Sequence, residues 1–136
     1  MNKVEELLMK ARKEDFEKKE EAVVPSAALG KALHMEGPID VLIEEISQRK
    51  VSDIMAMQIN EKGRFDKTKV FDAQLMLIVE GVKDPSPKSK DLLEHFGKAT
   101  PKELAEFLFK SDIGRLYEEI GKLCGIETGV EDEIKN

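Results

Sequence analysis

The sequence predicts an α+β fold that is predominantly helical, with one small β-hairpin and about five to six helices. Three observations carry that reading. Apolar residues recur every three or four positions through most of the second half, the helical period. One short stretch, Ile39, Val41 and Ile43, alternates with polar neighbours as a half-buried strand does. Capping and turn residues punctuate both patterns at the expected places. With 136 residues, 40% hydrophobic and 37% charged, the chain suits one domain with a modest core. The expected organisation is a charged N-terminal helix over 1–21, a single globular domain over 22–125, and an acidic disordered tail over 126–136.

In order along the chain, Val4, Leu7, Leu8 and Ala11 fall at helical spacing, and Asn2 with Glu5 has the form of a capping box. From Arg12 to Glu21 nearly every residue except Phe16 is charged. The far end of this helix should therefore be solvated and pack on nothing. Val23-Val24-Pro25-Ser26 breaks the pattern. Leu33 and Met35, then the Gly37-Pro38 turn, then Ile39, Val41 and Ile43 predict a hairpin over about 32–46, followed by helices over about 48–124. Ser47 or Ser52 caps a helix carrying Val51, Ile54, Met55 and Ile59, and Asn60–Arg64 ends it.

The segment 67–82 is the least polar, with Phe71, Leu75, Ile78 and Val82 on one stripe and Val70, Leu77 and Gly81 beside it, so it reads as a central helix. Asp84-Pro85-Ser86-Pro87 terminates it. Ser86 should cap a short helix that buries Leu92, Leu93 and Phe96 before Gly97 stops it. Thr100-Pro101-Lys102-Glu103 combines an N-cap hydroxyl, proline at the first helical position and glutamate three residues after the cap. Leu104, Phe107 and Leu108 form the apolar face of the helix that starts there. Ser111 then caps a last helix with Ile113, Leu116, Tyr117, Ile120, Leu123 and Cys124 on one face, closed by Gly125.

Chemistry is sparse in this chain. His34 and His95 lack Asp, Glu or Cys partners at ligand spacing, and Cys124 sits beside Leu123 where a small buried hydrophobe is the simpler reading. A single cysteine excludes an internal disulfide and a thiolate zinc cage, and suits a reducing compartment. Adjacent acidic pairs such as Glu44-Glu45 and Glu118-Glu119 point in different directions on an element and read as solvated surface. No glycine-rich phosphate loop is present. The expectation is therefore no enzyme, no catalytic residues, no metal and no cofactor. Met55, Met57 and Met76 read first as core fillers, with a surface that grips varied apolar partners as the alternative.

A net charge of -6 repels a phosphate backbone, and no apolar run is long enough to span a bilayer, so neither nucleic acid nor membrane is an expected partner. The N-terminal residues lack the apolar core of a signal peptide. One alternative is a small helix-turn-helix DNA-binding regulator, since the helices at 101–110 and 112–124 are closely joined. Its recognition helix would carry Glu118 and Glu119 where base readers need Arg, Lys, Asn or Gln.

The stretch from Leu77 to Gly125 resembles the C-terminal half of the XkdN-like phage tail assembly chaperones. The residues that carry the resemblance are Glu80-Gly81-Val82, Asp84-Pro85, Lys88-Ser89-Lys90, Leu92-Leu93, Phe96-Gly97, Thr100-Pro101-Lys102-Glu103-Leu104, Leu108-Phe109 and Leu116-Tyr117. The chain departs from the family pattern at Phe107, where a charged residue is usual, and at Lys110-Ser111-Asp112, where Pro-Gly commonly follows Leu-Phe. The resemblance implies a non-catalytic prophage-encoded protein of a Gram-positive host that binds the tape measure protein during virion morphogenesis. It implies the tail tube protein or self-association as further contacts, the host cytoplasm as location, and absence from the mature virion. The matched residues are caps, turn prolines and periodic apolar positions, and assign no partner-binding residues.

Overall fold

The computed structural model describes residues 2–126. The helices are α1 (Lys3–Lys10), α2 (Lys13–Glu17), α3 (Ala27–Ala32), α4 (Gln48–Ala56), α5 (Lys67–Gly81), α6 (Lys90–His95), α7 (Pro101–Phe109) and α8 (Ile113–Leu123). The strands are β1 (Glu21–Ser26), β2 (Ile39–Glu44) and β3 (Val82–Asp84), in one three-stranded antiparallel sheet of order β1-β2-β3. The α+β, mostly helical class is as expected. The acidic tail lies outside the described residues except for Ile126, whose N–H donates to the Gly121 carbonyl at 2.8 Å.

Two expected elements are placed differently. The N-terminal helix is two short pieces, because Ala11 and Arg12 are extended between them, and Asn2 donates to the Glu5 carboxylate without capping a backbone N–H. The hairpin expected over 32–46 is formed instead by β1 and β2, with Val24 opposite Val41 and Pro25 opposite Asp40. Leu33 and Met35 are exposed residues of the turn leaving α3. Between them, His34 takes φ 58°, the left-handed conformation that stops a helix.

Pro25 explains why β1 escaped notice and why the strand nevertheless forms. The Glu45 N–H donates to the Glu20 carbonyl, so residues 22, 24 and 26 exchange bonds with β2 while 21, 23 and 25 direct their backbone groups to the outer edge. A proline there gives up no ladder bond. Ala22, Val24, Ser26, Val41 and Ile43 share the inner face, and α8 packs against both strands.

α5 is the hub. It touches α4, α7 and α8, and buries Ala73, Leu75, Leu77, Ile78, Val79 and Gly81. Gly81 is required by close approach, since a Cβ there would lie 2.8 Å from Ile120 Cγ2 on α8. α7 contributes Leu104, Ala105 and Phe109 to the core. Phe107, expected inside, is exposed, because Phe109 fills the position two residues on. In α6 Leu92 and Leu93 are only half-buried and Phe96 is exposed.

Candidate functional site

The matched C-terminal residues hold the fold together. The Glu80 carboxylate, at the end of α5, takes both Lys50 and Lys88, pinning the turn after β3 to α5 and α4. Ser89, rather than Ser86, caps α6 by accepting from the Leu92 N–H at 3.2 Å. Gly97 then takes φ 65°. The Thr100 hydroxyl accepts from the Glu103 N–H at 3.2 Å, and the Glu103 carboxylate reaches back to the Ala99 N–H at 3.1 Å, one residue before the usual capping-box donor.

α7 and α8 meet through a 3-10 turn over Lys110–Asp112, where Lys110 has φ 44° and ψ -115°. Ser111 does not cap α8. Asp112 stands before it but turns its carboxylate outward to α3, accepting from the Ser26 hydroxyl at 2.7 Å and the Ala28 N–H at 3.0 Å. Ser26, fully buried, in turn accepts from the Leu29 N–H. α8 itself buries Ile113, Leu116, Ile120 and Gly121 against the sheet and α5. Its apolar face is committed to the core.

The residues singled out for chemistry are not brought together. His34 lies in the turn after α3, and His95 ends α6 edge-on to the Phe96 ring at 4.7 Å. Cys124, after α8, is buried: its sulfur accepts from the Ile46 N–H at 3.3 Å, and its carbonyl accepts from Gln48 Nε2 at 2.8 Å. Burial pushes the thiol pKa up, with the Glu45 charge adding to it and the Ile46 hydrogen bond opposing it. Among the described residues no group of three His, Cys, Asp or Glu side chains has metal-binding geometry, and no helix is long and apolar enough to cross a membrane.

What sequence reasoning missed is the placement of aromatic side chains. The chain has six phenylalanines. Only Phe109 is in the core; Phe16, Phe65, Phe71, Phe96 and Phe107 are all exposed. The core is aliphatic, and large apolar groups are left at the surface in two notable places. One is the N-terminal arm, α1 and α2, where Val4, Leu7, Leu8, Met9 and Phe16 are exposed and no residue is buried. The other joins α6 to α7: the Phe96 and Phe107 rings lie 5.1 Å apart, Lys98 Nζ sits 4.5 Å from the Phe107 centroid, and a shallow cavity is lined by Lys98, Glu103, Glu106 and Phe107. Met57, expected in the core, is also exposed, whereas Met55 and Met76 pack against the core. Exposed aromatic and methionine side chains are what protein-binding surfaces use as anchors. The one sequence signal for this was Phe107 at a position where the family pattern carries charge.

No curated protein matches the chain. Among solved structures, the crystal structure of the protein YqbN is similar, with a TM-score of 0.60 and 17% sequence identity over 81% of this chain and 88% of that one. At that identity the likeness is one of fold. The family model of the phage XkdN-like tail assembly chaperone proteins matches residues 4–136, nearly the whole sequence and not only the C-terminal motif. The chain therefore belongs to the XkdN-like family of phage tail assembly chaperones.

Proposed function

We propose that this chain binds an apolar, helix-forming stretch of its phage's tape measure protein and keeps it soluble in the host cytoplasm until the tail is built, without chemical turnover and without remaining in the virion. The observation that carries the reading is the exposure of Phe16, Phe65, Phe71, Phe96 and Phe107 around an aliphatic core. A tape measure is a long apolar helical chain that associates with itself before the tube forms around it. A holder needs exposed anchors for such a chain and enough like charge to keep the complex dispersed, here a net charge of -6.

Co-expression tests the proposal. The tape measure protein encoded beside this chain should be recovered in the soluble fraction and co-purify with it, and an unrelated acidic helical protein of similar size should not rescue it. A tape measure protein equally soluble by itself would sink the idea. A salt-dependent shift of operator DNA by this chain would redirect it to the regulator alternative.

A further inference from the structure

The arm and the aromatic patch are both unsatisfied. On α1, Val4, Leu7 and Leu8 form a stripe that is 65%, 60% and 50% exposed. At 100° per residue, Lys3 and Lys10 lie along one edge of that stripe and Glu5 lies along the other. Among the described residues neither lysine is paired with a carboxylate. On the body, Phe107 has Glu103 and Glu106 on one side of the shallow cavity and Lys98 over its ring, with Phe96 beside it. The Glu106 side chain has no partner among the described residues. An apolar stripe with lysines on one edge and a glutamate on the other is thus complementary in charge to an aromatic pair that has glutamates and a lysine around it.

We propose that α1 of one copy docks on the Phe96–Phe107 patch of a second copy, with Lys10 against Glu106 and Glu103, and Glu5 against Lys98. Each chain carries one arm and one patch, so two copies exchange arms about a two-fold axis and make the contact twice. An eight-residue helix against two rings gives a small interface, and the association is weak and concentration-dependent. The inference goes beyond the tape measure reading; Phe96 and Phe107 serve both, so a bound tape measure would compete with the arm, while the test of self-association needs only this chain.

Sedimentation velocity of the purified full chain over a wide concentration range tests it. The wild-type mass should move toward twice the monomer as concentration rises. Leu7→Glu and Phe107→Glu should each weaken association by about tenfold or more, equivalent to about 1.4 kcal/mol. Leu7 is exposed and its variant should melt as the wild type does, whereas Phe107→Glu gives up the Phe96 and Lys98 contacts and should lower the midpoint slightly while the chain stays folded. An equal mixture of the two variants should associate more strongly than either alone, because the intact arm of one meets the intact patch of the other. Glu106→Lys should weaken the dimer, and adding Lys10→Glu should restore it. A wild type monomeric at the highest soluble concentration would overturn the proposal. So would a mixture no stronger than its components, or a loss with Leu7→Glu that Phe107→Glu does not reproduce, which would mean that arms pair with each other.

Discussion

α1 and α5 teach opposite lessons about amphipathic pattern. α1 has a sharp division of apolar and charged faces, the usual mark of a helix lying on a core, yet none of its residues is buried. α5 has no such division, being apolar nearly all round its second half, and it is the most enclosed helix of the fold. A narrow apolar stripe says that a helix has one face to hide, and is silent about which molecule hides it. A helix without a polar face has no choice, because only the interior of its own chain surrounds it.

The strongest way to break this contrast is a matched pair of truncations. Leu77→Ala, on α5 and fully buried, should cost about 2–5 kcal/mol in urea melts. Leu7→Ala, on α1, should stay within about 0.5 kcal/mol in dilute solution. Equal costs would mean that the arm packs on the body. Next in size is Ser26→Ala, which should cost about 1–3 kcal/mol because it leaves the buried Leu29 N–H without its acceptor and takes one of two donors from Asp112.

A change in the opposite direction sharpens the picture of the body. Lys110 occupies a conformation open to glycine and strained for any side chain, so Lys110→Gly should stabilise the fold by about 1 kcal/mol. A lower midpoint for the glycine variant would show that the corner is not strained.

The smallest effect is alkaline. Cys124 keeps its proton to higher pH in the folded chain than the ordinary thiol value of 9.0, because burial disfavours the thiolate. The folded state then binds more protons than the unfolded one above that pH, so stability falls as pH rises from the ordinary thiol pKa to the folded one. Below that window the group adds no slope. Cys124→Ala should flatten the alkaline limb of stability against pH, and an identical slope in both proteins would remove the thiol from the account.

Where a residue's role is local, the sequence is readable. Thr100 and Glu103, Gly97 and Gly125 act within a turn of where they stand and are legible from spacing alone, while spacing narrows the cap of α4 to Ser47 or Ser52 and the structure selects Ser47. Roles decided by distant chain were missed. Pro25 reads as a break until β2 fixes which edge its nitrogen faces. Asp112 resembles an idle acid beside a helix start until Ser26 and Ala28 arrive from the other end of the molecule. Phe107 and Phe109 are both plausible core residues, and only the packing of α7 against α5 decides between them. The candidate docking surface belongs to this second class, since exposure is a property of what fails to cover a side chain.

The Asp112 contact has a consequence for how the chain is made. It joins residues 84 and 86 positions apart, and the inner face of β1 and β2 is closed by α8 from the same late segment. While the ribosome is still translating the middle of the message, Val24, Val41 and Ile43 have no lid. The sheet can finish burying them only once α8 has been synthesised. The chain thus begins its own life with an uncovered apolar sheet, and its last helix supplies the cover to its first two strands.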